Sequence, residues 1–166
     1  LQTWCTVECG IKLSQTRLAL KAKRERNRKA KKVKTRAEVV SEAQAAVNRY
    51  IRARDIDKGC VSCDTSLRVE GRKGGKFDAG HYRTRGSAPH MKFHLLNIFG
   101  QCKKCNHRYS GNTVEMRKTL LTRLGAAVVE AVENNNTRPD YDMQGLQRIK
   151  KIFNARAKHF EKLREL

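Results

Sequence analysis

The sequence predicts an α+β chain that is mostly helical, with a long basic helix first, a small stranded core in the middle and further helices after it. Residues 11–55 contain no Pro or Gly and are dense in Lys, Arg, Ala, Glu and Gln, all good helix formers. Residues 59–101 are different in kind. They carry Gly71, Gly74, Gly75, Gly80, Gly86, Gly100 and Pro89 around short apolar runs at 76–82 and 95–99, which read as two short strands and loops. Two Cys-x-x-Cys pairs, Cys60 with Cys63 and Cys102 with Cys105, bracket that stretch.

The first helical stretch is unusual in its charge. From Gly10 through Arg36 stand twelve Lys and Arg residues against the single acid Glu25, spread around every face. No apolar stripe seeks a partner there, so the segment reads as an arm that is stable once its charge is neutralised. Its candidate nucleic-acid contacts are Lys21, Lys23, Arg24, Arg26, Arg28, Lys29, Lys31 and Lys32. From Ala37 the pattern changes: Val40, Ala43, Val47, Tyr50 and Ile51 recur at helical spacing and can pack on a core. The expected organisation is therefore a partial zinc knuckle at 1–10, a basic arm at 11–36 and a core domain at 37–166.

After Cys105 helical composition returns. A helix is expected over Thr113 to Leu124, with Asn112 as its cap and Gly125 as its stop, then another over Ala126 to Glu133, broken at Asn134, Asn135 and Asn136. A last helix begins near Asp142 as N-cap and places Leu146, Ile149, Phe153, Phe160 and Leu163 on one side. That face suits either ordinary core or the contact of a homodimer.

With 37 Lys and Arg against 16 Asp and Glu, the formal charge is +21, which suits a polyanionic partner, nucleic acid above all. No apolar run approaches the roughly 20 residues of a spanning helix, and no signal-peptide pattern is visible, so neither a membrane nor a small-molecule cofactor is expected. The chain begins at Leu1, and what precedes it is unread.

Six cysteines in a Lys-rich chain without a secretion signal favour metal over disulfides. Each Cys-x-x-Cys turn offers two thiolates on one side of a tight bend, so Cys60, Cys63, Cys102 and Cys105 supply four soft ligands for a tetrahedral Zn2+. The 38 residues between the pairs are then an insertion stapled at both ends, where the chemistry is expected. Cys5 and Cys9 form a looser pair, and two readings stay open: ligands of a second zinc, or unpaired surface thiols.

Within the insertion lies Phe77-Asp78-Ala79-Gly80-His81-Tyr82, followed by Asn97, and by Asn106 directly after the last knuckle cysteine. The order His81, Asn97, Asn106 between two knuckles resembles the treble-clef His-Asn-His nuclease fold, whose site is a two-strand hairpin followed by a helix. More specifically, Asp78-Ala-Gly-His-Tyr-Arg-Thr, Asn97-Ile, Gln101-Cys-x-x-Cys-Asn106 and Ser110-Gly-Asn112 resemble the NinG (Rap) recombination proteins of lambdoid phages, a likeness that runs from about Glu42 to the C-terminal helix and takes in the truncated cysteine pair and basic helix at the start. Such a resemblance implies an endonuclease acting on branched DNA such as four-way junctions and D-loops, in the cytoplasm of a bacterial host.

Residue chemistry points the same way. Phosphodiester hydrolysis needs an activated water, neutralisation of charge on the phosphoryl oxygens, and help for the leaving oxygen. His81 is the expected general base. Asp78 and the Asn106 carbonyl are the expected hard ligands of Mg2+ or Mn2+, and Asn97 is expected to orient the hairpin. Asp78 and His81 would face opposite ways in a regular strand, so a bulge at Gly80 is expected to bring them together; a solvated strand acid is the alternative for Asp78. Arg83, Arg85 and Arg108 are candidate phosphate clamps, while His90, His94, His107 and His159 read as surface or phosphate-contacting residues. Two other functions fit the same features: a zinc-knuckle protein that binds nucleic acid without cutting it, and a sequence-directed nuclease of the same type.

Overall fold

A computed structural model describes residues 5–29, 34–68 and 77–165, with the side chains of 27–29 outside that description. The chain divides into two compact units between Thr35 and Arg36. In the first, helix α1 (Val7–Lys29) keeps Lys21, Lys23, Arg24 and Arg26 exposed, as a helix with no apolar stripe must. Arg28 and Lys29 belong to α1, but their side chains, and Lys31 and Lys32 altogether, lie outside the described residues.

The second unit is mostly helical with one small hairpin. Helix α2 (Arg36–Asp55) and helix α5 (Met143–Lys162) pack along each other and form the larger core. Val39, Ala43, Val47, Ile51 and Leu146 there are at most 1% exposed, so the three-four spacing of apolar residues has become one buried face on each helix. Tyr50 meets Phe153 at a tilt and Phe160 edge-on, at centroid distances of 5.3 and 5.8 Å. The apolar face of α5 is thus covered by α2. Leu163, grouped with that face from its spacing, lies beyond the end of the helix and is 53% exposed, so it leaves the core.

Strands β1 (Asp78–His81) and β2 (Ile98–Gln101) pair antiparallel in the register Asp78 to Gln101 and His81 to Ile98. The register is unbroken, so the expected bulge at Gly80 is absent. Gly80 has another reason to lack a side chain: a Cβ there would run into the Gln101 carboxamide. The second apolar run is strand over half its length only. Leu95–Asn97 form a 3-10 turn, which lets the buried Asn97 turn inward before β2 begins.

The end of α2 is bolted to β2. Asp55, 3% exposed, accepts the Gly100 N–H at 2.9 Å and a two-pronged pair from Arg54 at 2.7 and 2.6 Å, while Arg54 also donates to the Ile98 carbonyl at 3.0 Å. Burial alone would raise the Asp55 carboxyl, but Arg54, the Gly100 amide and Lys58 outweigh it and hold it below the usual carboxylate range. Gly100 is required here because a Cβ would sit 2.9 Å from Asp55 Cβ and 2.8 Å from Leu67 Cδ1.

Helices α3 (Thr113–Leu124) and α4 (Ala126–Asn134) meet at Gly125, whose φ of 83° supplies the left-handed break. Asp142 caps α5 by accepting the Gly145 N–H at 2.6 Å. Asn112 does not cap α3 with its side chain, because its φ of 42° turns the carboxamide back toward Cys105 Sγ, 3.6 Å away.

Candidate active site and metal centre

The two knuckles converge. Cys60 and Cys63 lie in the turns after α2, and Cys102 and Cys105 follow β2 directly, so the hairpin brings the pairs together. All four Sγ atoms lie within 4.8 Å of one another, and Cys63 Sγ is 3.8 Å from Cys102 Sγ. Four sulfurs at about 2.3 Å from a tetrahedral zinc stand about 3.8 Å apart, so the quartet fits such an ion. Backbone amides support the sulfurs: Cys102 N–H points at Cys60 Sγ at 3.3 Å and Cys105 N–H at Cys102 Sγ at 3.5 Å. The thiols differ among themselves. Burial pushes Cys105 up to about 12, whereas at Cys63 the Thr65 hydroxyl and amide, 3.2 Å away through the hydroxyl, overcome burial and bring the thiol down to about 7. Cys5 and Cys9 are exposed in the first unit.

Between Cys102 and α3 the chain makes one wide π turn (Lys104–Arg108) and then three consecutive left-handed residues, Ser110, Gly111 and Asn112. This turn carries Asn106 and His107 beside β1. Asn106 Nδ2 donates to Asp78 Oδ2 at 3.2 Å, and His107 Nε2 donates to the same oxygen at 2.8 Å. Both bonds fall on Oδ2, so among the described residues Asp78 Oδ1 has no hydrogen-bond partner, and Asn106 offers Asp78 its amide nitrogen rather than its carbonyl oxygen.

A cavity of about 470 Å³ runs along β1, lined there by Asp78, Ala79 and His81 and on its other sides by Asn106, His107 and Arg85, among others. Asp78 and Ala79 alternate along the strand, yet both line the cavity. No bulge is needed to bring Asp78 and His81 to one space.

The His81 ring donates from Nε2 to the Lys92 carbonyl at 3.2 Å, which leaves Nδ1 with the lone pair. Burial and the positive charge of Arg85 hold this imidazole below its ordinary value, against the opposing pull of the Lys92 and Ala79 carbonyls. This shift favours the neutral ring near neutral pH. Asn97, fully buried, accepts the Arg83 N–H at 2.7 Å and donates to the Arg83 and Met91 carbonyls at 3.0 and 3.3 Å.

The remaining candidates separate. Arg85 and Arg108 are exposed. Arg83 is committed inside the protein, its guanidinium donating to the carbonyls of Val132 and Asn135 and to Asn136 Oδ1. His90 bonds the Asn135 carbonyl at 2.7 Å, His159 is exposed, and His94 buries an Nδ1 with no partner among the described residues. Sequence reasoning set His107 aside as a surface or phosphate-contacting residue, and it missed Asn48 and Arg52, which α2 contributes to the cavity from thirty residues away. A carboxylate three residues before a histidine was a signal for Asp78; nothing local marks the other three.

The family model described as "Bacteriophage Lambda NinG protein" matches residues 1–165. The chain belongs to the NinG family. It is 33% identical to "Protein ninG" of Escherichia phage lambda and 33% identical to that of Salmonella phage P22, over 99% of this chain and 84% of each relative. To the protein of the same name from Escherichia phage 933W it is 34% identical, over 99% of this chain and 85% of that one. No solved structure matches. For this NinG-family chain the architecture is a mostly helical α+β fold with a two-strand hairpin and a four-cysteine site able to hold zinc. No helix among the described residues is long and apolar enough to cross a membrane.

Proposed function

We propose that this member of the NinG family is a divalent-metal-dependent endonuclease of the His-Asn-His type that nicks branched DNA, four-way junctions and D-loops in particular. The observation that carries the reading is the shared cavity: a neutral imidazole, His81, opens onto the same space as the Asp78, Asn106 and His107 cluster. His81 Nδ1 takes the proton from the attacking water. Asp78 Oδ1 and the Asn106 carbonyl are the oxygens that would hold Mg2+ or Mn2+, a hard pair suited to an ion that keeps several waters and uses phosphate oxygens as ligands. When bound, that ion neutralises charge on the phosphoryl oxygens and eases departure of the 3′ oxygen. His107 pins the far carboxylate oxygen and so fixes the direction in which Asp78 offers the near one. Asn97 holds Arg83 and Met91 and through them the loop that carries the Lys92 carbonyl to His81.

The zinc quartet sets this geometry without taking part in it, since Cys102 and Cys105 immediately precede Asn106. The basic helix α1 and the +21 charge of the chain supply phosphate affinity that does not depend on sequence, and branch selectivity then comes from shape. A four-way junction has approximate two-fold symmetry, which two copies of the chain would match.

The test compares a four-way junction with a linear duplex of the same arm sequence, with and without added Mg2+ or Mn2+. Nicking of the junction alone, dependent on the ion, is the expected result. Tight binding with both DNAs left intact under every condition identifies a non-catalytic binder, and cutting governed by base sequence identifies a sequence-directed nuclease.

A further inference from the structure

We propose that helix α2 carries a phosphate-oxygen site, built by Asn48 and Arg52 and completed by Arg85, that grips the DNA backbone within the His81 cavity. Asn48 and Arg52 are one helical turn apart and so share a face, and both line the cavity. The neighbours Val47 and Ile51, about 100° round the helix, are fully buried. The core face of α2 and its cavity face are therefore separate, and the helix is held in place by Asp55 and Arg54 on β2.

The donors on this face are prepared. Gln44, 8% exposed, donates to Asn48 Oδ1 at 2.9 Å. With the acceptor end occupied, the Asn48 carboxamide turns its two N–H bonds outward. Arg52 makes no hydrogen bond or ion pair among the described residues, although it is half-buried. Its neighbours on the helix are engaged: Arg49 holds Glu161 in a two-pronged pair at 2.9 and 2.6 Å, and Arg54 holds Asp55. A guanidinium and a carboxamide that present only donors, with Arg85 lining the same cavity, match a ligand that only accepts. A phosphodiester is such a ligand, and the planar fork of arginine meets two of its oxygens at once.

This inference deepens the nuclease reading, since it assigns the backbone contacts of the same cavity. Its test needs no cleavage. The full chain carrying His81→Ala is titrated with a fluorescent four-way junction, without added divalent ion, across a range of salt. Arg52→Gln is expected to weaken binding about tenfold and to lower the salt slope by about one unit. Arg148→Gln, an exposed cation of α5 outside the cavity, serves as control. Arg52→Lys keeps the charge, and is expected to lose roughly threefold in affinity with the slope unchanged, because the fork is gone. If Arg52→Gln behaves like the Arg148→Gln control, or Arg52→Lys matches the parent, the site is refuted. Inorganic phosphate substituted for chloride at equal ionic strength should compete in the parent and not in Arg52→Gln. Competition without any loss of junction affinity in Arg52→Gln would mark a free-phosphate site and overturn the backbone assignment. Failure of the parent chain to nick DNA in Mg2+ refutes the nuclease reading instead and leaves the binding result standing.

Discussion

The Asn97 carboxamide closes a two-way bond with the backbone of Arg83, accepting its N–H at 2.7 Å and donating to its carbonyl at 3.0 Å. This mimics one rung of a β-ladder just where the pairing of β1 and β2 ends, and Asn97 itself is fully buried. Asn97→Ala leaves a buried N–H and carbonyls without partners, so a loss of about 2–4 kcal/mol is expected in urea unfolding. Asn97→Asp keeps the acceptor but sets a second oxygen against two carbonyls, and is expected to be at least as damaging. A midpoint unchanged by either substitution would show that the bond does not hold the loop.

Asp55 tests the joint between α2 and the hairpin. It is a buried carboxylate whose partners are Arg54, Lys58 and the Gly100 amide. Asp55→Asn strands the Arg54 guanidinium without its counter-charge and should cost about 3 kcal/mol in thermal or urea unfolding. Gly100→Ala should also destabilise, by steric overlap with Asp55 and Leu67. The two losses should be far from additive, because both act on one contact.

Metal removal should affect the two cores unequally. The core between α2 and α5 contains none of the knuckle cysteines, whereas Cys60 and Cys105 are packed with Leu67 and Phe77 in their own cluster. A strong chelator is expected to release about one zinc per quartet and to unfold the hairpin region, while most helical circular dichroism persists. Simultaneous loss of all helical signal would contradict this account.

The sign of the pH dependence follows from His81. Its imidazole is held below the ordinary histidine value, first by burial and then by Arg85. Nicking that uses the neutral ring should stay at its plateau through neutral and alkaline pH and fall on the acid side of the ordinary histidine value. Between the lowered value and the unfolded one, the unfolded chain binds more protons, so the His81 contribution to stability is full above the unfolded value and is lost as pH falls. Arg85→Ala removes a neighbouring positive charge and should move the acid limb of the rate profile to higher pH. An acid limb centred above pH 7 in the parent would exclude a buried neutral imidazole as the base.

Local signals in the sequence carried well where the governing physics is local. The bounds of α3, the Gly125 break and the Asp142 cap follow from helix formers, a left-handed glycine and an N-cap acid, each readable within four residues. The cysteine quartet was legible because two chelating turns have few other uses. What escaped was set by distant contacts. Asn112 looked like a cap until the three left-handed residues before α3 turned it to Cys105. Arg83 resembled its neighbour Arg85, yet the carbonyls at the end of α4 absorb its guanidinium. The cavity residues on α2 read as an ordinary polar face because the hairpin that meets them begins over twenty residues later.

The central claim is that a neutral His81 imidazole performs hydrolysis beside the Asp78 and Asn106 oxygens. Single-turnover nicking of a four-way junction in Mg2+ by the parent chain and by His81→Ala, each shown to bind the junction equally, tests it most directly. The account predicts a rate lower by at least about a hundredfold in His81→Ala, the usual contribution of general-base catalysis. Equal rates in the two proteins would contradict it.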